Sequence, residues 1–580
     1  MTFGKLAAKG SLRSKTGGLT VSKPRRQRSA TWTGARQPSF PRGLALAATA
    51  TISLHAGVAF AADCRSLATL SLPTVTIDAA EEIGAGAYTP AGSKALANLP
   101  AFCRVHGVIA PAPDSRIGFE LWLPREAWNR KFEMFGNGGY SSDISYADMA
   151  DRLKAGYASV ATDTGHTGSD PAFAAGHSEA IVDWGYRAVH ETAEKAKLLV
   201  RAYYGGAPAH AYFKGCSTGG HQALMEAQRF PQDFDGIIAG DPGNNRTHLN
   251  AGFLWQYIVN HPHGDDANPI LPASKLAMIS QAVIKACQGS NGSEDGGLPT
   301  DNFLADPRSC HFDPQTLVCK GADAADCLTA PQAQALAVMY GGAHDRQTGE
   351  RIYFGWPFGS EGSSAVVDRL PGWSLYWADP GKGDQPARLS YWRDWAFDSK
   401  WNWWNFDWSR DMRAVDAKLA PIINATNPDL EAFRKAGGKL LQYHGLADPV
   451  VPALESINYY QQAIADQKAK REDLSVGAFY RLFLVPGMAH CSGGPGADQF
   501  DVQAALEAWV EHDKAPDSMI ASHSEGNAAE RRVAFSRPLC PYPKQARYDG
   551  KNDPTLASSF ACSDDGRRRD TPSIGPDYLK

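Results

Sequence analysis

Three features are missing from this sequence, and each absence excludes a class of protein. Positive charge is not in excess, since 58 basic residues face 62 acidic ones for a net charge of -4. This balance excludes a nucleic-acid binder that is held by phosphate contacts. No two cysteines form a C-x-x-C pair and no histidines stand near them at ligand spacing, which argues against a zinc site. Internal repeats are absent as well, which excludes a repeat architecture.

Long apolar runs are also rare, and the clearest one lies near the start of the chain. It extends from Gly43 to Ala62, follows a stretch rich in Gly, Ser, Lys and Arg, and ends in the cleavage pattern Ala59-Phe60-Ala61. A transmembrane anchor is the alternative, but the run is short for a bilayer and contains Ser, Thr, His and Gly. We therefore predict that residues 1–61 are an N-terminal extension and export signal. The mature chain is then secreted or periplasmic and is not bound to a membrane.

What the sequence does contain is a serine in a nucleophile-elbow pattern. Gly215-Cys216-Ser217-Thr218-Gly219 matches G-x-S-x-G, follows an apolar strand pattern from Ala209 to Phe213, and precedes helical spacing from Leu224 to Phe230. A sharp strand-to-helix turn exposes the serine oxygen, and the helix N-terminus stabilises negative charge. The pattern also fits an ordinary turn, but the strand and helix around it favour Ser217 as a nucleophile.

A nucleophilic serine in such a turn requires an acid and a base, in the chain order Ser, Asp or Glu, His. The strand pattern Lys439–Tyr443 leads to Asp448, and the strand pattern Tyr480–Val485 leads to His490. The C-terminal ends of parallel strands share one edge of a sheet. We predict that Ser217 attacks an acyl carbon, His490 transfers the proton and Asp448 orients the imidazole. A turn aspartate and a surface histidine are the alternatives.

The ten cysteines are an even number in an exported chain, which predicts disulfides. Cys216 directly precedes Ser217, and Cys491 directly follows His490. If the serine and the histidine are in contact, these two neighbours satisfy disulfide geometry. We therefore predict a Cys216–Cys491 bond that connects nucleophile to base. A free thiol nucleophile at Cys216 is the alternative, which export disfavours.

Alternating strand and helix patterns predict an α/β fold with a mostly parallel sheet and helices on both faces. They extend over residues 62–243 and resume over residues 429–580. Residues 244–428 are rich in Gly, Pro, Asp and Trp, and we interpret them as an inserted domain, here called the lid insert. Its tryptophans fit either an apolar core or the wall of a site for a planar aromatic group. They are Trp373, Trp377, Trp392, Trp395, Trp401, Trp403, Trp404 and Trp408.

These motifs resemble those of the tannase and feruloyl esterase family, which includes MHET hydrolase. Cys216-Ser217, Asp448 and His490-Cys491 look like its CS-D-HC motif, and the resemblance covers nearly the whole mature chain. Matching stretches are Gly136 to Tyr140, Thr162 to His166, Gly185 to His190 and Cys216 to Gly220. The resemblance implies an α/β-hydrolase fold with a large lid inserted after the serine half. It also implies a secreted serine carboxylesterase that requires no cofactor for its chemistry. The substrate is then a small aromatic ester, free or attached to plant polysaccharide or polyphenol.

The resemblance further implies an oxyanion hole and a set of disulfides. The oxyanion hole would use the N–H of Thr218 and an N–H of Gly138 or Gly139 in the glycine-rich loop. For these glycines the alternative is a turn that only lets two backbones pass. Besides Cys216–Cys491, the implied disulfide pairs are Cys64–Cys103, Cys287–Cys310, Cys319–Cys327 and Cys540–Cys562.

The family's lid also carries a calcium site, at Cys-Asp-x-x-Asp-Gly-Val-x-Asp-Gly. Here the matching stretch has Gln288 and Asn291 in place of two carboxylates. Calcium requires six to eight oxygen ligands, and neutral amides lower the affinity of a site. We therefore predict a structural Ca²⁺ that is weaker than in relatives. Its ligands would be the side chains of Gln288, Asn291 and Asp295 with the carbonyls of Ser293 and Gly297.

Three functional hypotheses follow from the sequence. The first is feruloyl esterase-like hydrolysis of an aromatic ester, with tannase-like or MHET hydrolase-like specificity as alternatives on the same triad. The second is acyl transfer to an alcohol by the same three residues. The third is a non-catalytic protein that binds aromatic groups or glycans on a hydrolase scaffold. The third is disfavoured because no member of the triad is missing.

Overall fold

A computed structural model describes residues 62–289, 295–362, 372–377, 385–470, 475–526, 530–564, 566, 569 and 571–579 of the chain. The predicted export signal lies outside these residues. The helices within them include none that combines the length and the apolar character of a membrane span.

The strands lie on both sides of the lid insert. In chain order they are β1 (Val75–Ile83), β2 (Gly86–Tyr88), β3 (Leu96–Leu99), β4 (Phe102–Ile109), β5 (Ile117–Pro124), β6 (Lys131–Phe135), β7 (Ala158–Thr162), β8 (His210–Cys216), β9 (Gly236–Gly240), β10 (Lys439–Gly445), β11 (Tyr480–Val485), β12 (Met519–Glu525), β13 (Arg532–Leu539), β14 (Gln545–Tyr548) and β15 (Phe560–Ser563). Nine of them form one sheet in the order β1-β4-β5-β7-β6-β8-β9-β10-β11. The pairs from β1 to β7 are antiparallel, and all pairs from β7 to β11 are parallel. The predicted α/β fold with a mostly parallel sheet is confirmed.

Helices cover both faces of this sheet, and others form part of the lid insert. They are α1 (Tyr146–Lys154), α2 (Ser178–Val182), α3 (Ala188–Tyr204), α4 (Thr218–Arg229), α5 (Arg246–Val259), α6 (Leu276–Gln288), α7 (Ala330–Gly341), α8 (Arg410–Ile423), α9 (Glu431–Lys435), α10 (Leu454–Lys470) and α11 (Val502–His512). Successive residues of β8 pack on opposite faces of the sheet. Phe213 packs in the core under α3, α4 and α10, whereas Tyr212 packs with α11. The central strands are therefore buried on both sides, as parallel strands usually are.

The lid insert has its own apolar core, which is continuous with the edge of the sheet that carries Asp448. Of its eight clustered tryptophans, only Trp401 and Trp404 are partly exposed, and the others are buried. The same core includes Tyr140, Trp184 and Val450 from outside the insert. Core and insert thus belong to one compact unit, Ala59–Lys580.

The sequence patterns located the strands that lead to the acid and the base well and the exposed strand β1 poorly. The predicted Tyr480–Val485 matches β11 at both ends, and the predicted Lys439–Tyr443 begins where β10 begins. β1 was not predicted, because none of its residues is fully buried and its alternation is interrupted by a register shift between Ile77 and Ala79. The short hairpins β12–β13 and β14–β15, which lie outside the main sheet, were not predicted either.

Candidate active site

Ser217 lies at the turn between β8 and α4. β8 ends at Cys216 and α4 begins at Thr218, so the serine alone makes the turn. Its φ of 62° and ψ of -116° are costly for a residue other than glycine. The turn is held because Ser217 N donates to the carbonyl of Gly240 at 2.9 Å and its own carbonyl accepts from His221 N at 3.0 Å. The serine side chain remains half-buried.

Two glycines allow α4 to pack this closely on the sheet. A Cβ atom on Gly220 would lie 2.2 Å from the carbonyl oxygen of Gly240. A Cβ atom on Gly215 would lie 2.4 Å from the backbone of Gly219. Neither position has room for a side chain, so the strained turn depends on glycine at both.

Asp448 and His490 follow the neighbouring parallel strands β10 and β11 and are in contact. Nδ1 of His490 lies 2.6 Å from Oδ2 of Asp448, and both residues are buried. The other carboxylate oxygen of Asp448 accepts hydrogen bonds from Val450 N at 2.7 Å and Val451 N at 2.9 Å. Each oxygen of the acid therefore has a defined partner, and the imidazole is oriented with Nδ1 toward the acid.

A disulfide brings the serine turn to this pair. Cys216 and Cys491 are bonded, with their Cα atoms 6.0 Å apart. Because one cysteine precedes Ser217 and the other follows His490, the bond holds the two loops side by side at the C-terminal edge of the sheet. The structure thus places Asp448 and His490 in contact and holds the turn of Ser217 beside them through the disulfide.

Two further buried residues, Asp241 and His444, surround the acid and were not predicted. Nε2 of His444 lies 3.4 Å from Oδ2 of Asp448 and 3.9 Å from Oδ1 of Asp241. Nδ1 of His444 lies 2.6 Å from Oγ of Ser456. Asp241 Oδ1 also accepts from Gly445 N at 2.8 Å. The sequence carried a signal for His444, which stands four residues before Asp448, but Asp241 approaches only through the pairing of β9 with β10.

This network determines the charges around the acid. Burial by itself disfavours an ionised Asp448, but the neighbouring His490 and His444 hold the pKa of its carboxyl well below its usual range. Burial likewise lowers the pKa of His444, yet the carboxylates of Asp241 and Asp448 outweigh it and raise that pKa to about 9. Burial raises the pKa of Asp241. Asp448 therefore stays an anion between two imidazoles, and it can stabilise a positive charge that forms on His490.

The glycine-rich loop after β6 lies against the serine turn. The hydroxyl of Thr218 donates to the carbonyl of Gly139 at 2.7 Å. Asn137 N in the same loop donates to Oε1 of Gln222 on α4 at 3.0 Å. Gly139 has a φ of 55°, which favours glycine. Gly138 and Gly139 are thus held next to Thr218, as the predicted oxyanion hole requires.

Aromatic rings continue from this loop into the lid insert. The ring of Tyr140 stacks on Trp184 with 4.8 Å between centroids. Trp395 of the lid insert meets Tyr140 edge-on at 5.3 Å. All three rings are buried, so the apolar core that packs against the predicted oxyanion loop is aromatic.

All ten cysteines are paired in the structure, in the five bonds that the family resemblance implied. Of the five predicted calcium ligands, Asn291 and Ser293 lie outside the described residues. Both oxygens of Asp295 accept backbone N–H groups, from Gly297 at 3.0 Å and Ala305 at 2.6 Å. Nε2 of Gln288 donates to the carbonyl of Asp301 at 2.7 Å. Each oxygen of Asp295 thus has one N–H partner and keeps a further lone pair, so the described part of the loop fits at most a weak calcium site.

Comparison with known proteins agrees with this geometry. A family profile described as "Tannase and feruloyl esterase" matches residues 103–563. An uncharacterised esterase of Xanthomonas campestris pv. campestris is 38% identical, over 87% of this chain and 92% of its own. The mono(2-hydroxyethyl) terephthalate hydrolase of Piscinibacter sakaiensis is 33% identical, over 82% of this chain and 86% of its own. The crystal structure of feruloyl esterase B from Aspergillus oryzae superposes with a TM-score of 0.75 at 26% identity, covering 86% of this chain and 100% of that one.

The Cys216–Cys491 bond predicts a measurable effect on the rate. The double variant Cys216→Ala/Cys491→Ala should lower kcat by about 10- to 100-fold, because a displacement on the order of 1 Å between nucleophile and base is enough for such a loss. The matched control is Cys319→Ala/Cys327→Ala, which removes a disulfide of the lid insert and should leave kcat close to that of the unaltered protein. Ester hydrolysis is measured for both at equal fractions of folded protein. Equal kcat in the two double variants would contradict a role for the bond in catalysis.

Proposed function

The chain belongs to the tannase and feruloyl esterase family and is a carboxylic ester hydrolase, and from this premise we propose that it hydrolyses aromatic acyl esters through an acyl-enzyme on Ser217. The observation that carries the proposal is the Cys216–Cys491 disulfide beside the His490–Asp448 pair. It connects the strained serine to an oriented imidazole. A serine with only a structural role would require neither a disulfide to the histidine loop nor an oriented imidazole beside it.

In the proposed mechanism, Ser217 Oγ attacks the ester carbonyl carbon while its proton passes to Nε2 of His490. Asp448 accepts a hydrogen bond from Nδ1 of His490, which keeps Nε2 free to take that proton and stabilises the imidazolium. The N–H groups of Thr218 and of Gly138 or Gly139 stabilise the tetrahedral oxyanion. The bond to the alcohol oxygen breaks, and the alcohol leaves with the proton from His490. Water then attacks the acyl-enzyme with His490 as base, which releases the acid and restores Ser217.

An aromatic acyl group is supported by the family and by the names of its members. The matching profile is described as "Tannase and feruloyl esterase", and feruloyl esterase B from Aspergillus oryzae superposes on this chain. A hydroxycinnamoyl group is therefore the first candidate, and galloyl and terephthaloyl groups are the alternatives, the last supported by the relative named mono(2-hydroxyethyl) terephthalate hydrolase. The alcohol part is a small alcohol, a plant polysaccharide or a polyphenol.

Ser217→Ala should lower the hydrolysis of methyl ferulate at least 10³-fold, because the acyl-enzyme can no longer form. Ser475→Ala, which changes an exposed serine, is the matched control and should leave the rate unchanged. Methyl gallate and mono(2-hydroxyethyl) terephthalate, assayed beside methyl ferulate, identify the acyl group. Unchanged hydrolysis by Ser217→Ala would overturn the mechanism. A product that is mainly ethyl ferulate when ethanol is added would indicate an acyltransferase, and a wild-type protein that fluorophosphonate does not label would indicate a non-catalytic one.

We also propose that the protein acts outside the cytoplasm. Five disulfides are typical of oxidising compartments, and the first 61 residues have the pattern of an export signal. Mass spectrometry of the exported protein should find a mature N-terminus at Ala62. Ala61→Arg should block cleavage and leave the uncleaved chain with the cells, whereas Thr51→Ser should not. Mature protein that still begins at Met1 would refute the proposed signal.

A weak structural calcium site in the lid insert is the remaining proposal, carried by the family resemblance and by the buried carboxylate of Asp295. With a Kd of about 1 mM, 10 mM calcium would stabilise the fold by about 1.4 kcal/mol. The melting temperature should therefore rise by about 1–2 °C. Asp295→Asn should remove this rise, and magnesium at the same concentration controls for ionic strength. No rise with calcium, together with no metal in the purified protein, would rule the site out.

A further inference from the structure

Arg246, the first residue of α5, is attached to the predicted oxyanion hole by two consecutive hydrogen bonds. Its Nη2 donates to Oγ1 of Thr218 at 2.6 Å, and the Thr218 hydroxyl in turn donates to the carbonyl of Gly139 at 2.7 Å. A hydroxyl has one proton to donate and accepts in return, so the direction of both bonds is defined. The arginine thus orients the hydroxyl that holds the loop.

A second contact connects the same helix to the same loop. Nδ2 of Asn250 donates to the carbonyl of Arg246 at 2.9 Å and lies 3.1 Å from the hydroxyl of Tyr140. Asn250 and Arg246 are one helical turn apart, so both face the loop from one side of α5. The helix therefore contacts two successive residues of the loop: Gly139 through the Thr218 hydroxyl, and Tyr140 directly.

The charge of Arg246 is buried without a carboxylate in contact among the residues that the structure describes. The side chain is 1% exposed, and its Nε has no hydrogen-bond partner in the described part of the chain. Its guanidinium instead faces the rings of Tyr140 at 5.8 Å and Trp184 at 5.2 Å. Burial lowers the pKa of Arg246, with Arg388 acting in the same direction and Glu455 against it. A buried cation of this kind favours a negative charge that forms nearby.

We propose that Arg246 is a positioning residue for the oxyanion hole: through Thr218 it holds the Gly139 loop in place, and its charge favours the oxyanion. The inference rests on the proposed acyl-enzyme mechanism at Ser217. It assigns to the first helix of the lid insert a part in stabilising the transition state, beyond covering the substrate. Because the oxyanion exists only after attack, loss of Arg246 should reduce kcat and leave KM little changed.

The test uses the full mature chain and p-nitrophenyl acetate, whose small acyl group does not depend on an aromatic pocket. Arg246→Met removes the charge and the hydrogen bond, and should lower kcat by about 10- to 100-fold with KM within about threefold. Inhibition by phenylboronic acid, which forms a tetrahedral anion on the serine, should weaken by a similar factor. Inhibition by ferulate, a ground-state product, should not. Arg246→Lys keeps the charge and should recover part of kcat.

Thr218→Val removes the hydroxyl that links Arg246 to Gly139 but keeps the Thr218 N–H. It should reproduce the loss of kcat, whereas Thr218→Ser, which keeps the hydroxyl, should recover most of that loss. The effects of Arg246→Met and Thr218→Val should not add in the double variant, because both break one connection. Thr247→Val is the matched control: it removes a hydrogen bond from the next residue of α5 to Asp416 on α8 and should leave kcat unchanged.

The outcomes separate this inference from the proposed function. If Ser217→Ala is inactive while Arg246→Met and Thr218→Val keep wild-type kcat and boronate inhibition, the positioning role is wrong and the mechanism stands. If Ser217→Ala is as active as the wild type, the mechanism itself is wrong. An equal loss of boronate and ferulate inhibition would show that Arg246 only supports the fold. Should Arg246→Met fail to fold, the comparison of Thr218→Val with Thr218→Ser decides the question.

Discussion

The covalent bond between Cys216 and Cys491 is the constraint on which the site depends. It joins residues that are 275 positions apart in the chain, with the whole lid insert between them. In the chain-entropy description of disulfides, closing a loop of this length stabilises the folded state by about 5–6 kcal/mol. Cys216 adjoins Ser217 and Cys491 adjoins His490, the proposed nucleophile and base, so the bond holds these two residues near each other. A large insert can therefore separate them in the chain without separating them in space.

Near this bond, the site contains an ionised carboxylate that burial by itself would destabilise. Asp448 is fully buried, and its charge is retained because two imidazoles and two backbone N–H groups surround it. His444 has no place in the transfer of a proton to the ester. It instead provides the positive charge and the contact that keep the acid ionised and oriented toward His490. Asp241, which follows β9, acts on the acid through His444, whose Nε2 lies 3.9 Å from Oδ1 of Asp241.

Around the predicted oxyanion hole, hydrogen bonds and aromatic contacts join the core to the lid insert. The oxyanion loop, the start of α4 and the start of α5 are joined through Thr218, and Tyr140 and Trp184 belong to the apolar core of the insert. The insert is consequently packed into the site and is more than a cover over it. The tryptophans of the insert are mainly buried. The insert has few helices, so large rings fill its interior.

The sequence by itself determined the parts of this protein that depend on chain order and local pattern. The buried strands, the serine turn, the order of serine, acid and base, and the cysteines beside them could all be read from neighbouring residues. The tertiary structure alone decided which buried groups meet from distant elements: Asp241 at His444 beside the acid, and Arg246 at Thr218. These contacts arise from strand register and helix packing, which bring together residues that share no local pattern. An arginine at the start of a helix looks like any exposed cation until packing buries it beside the nucleophile.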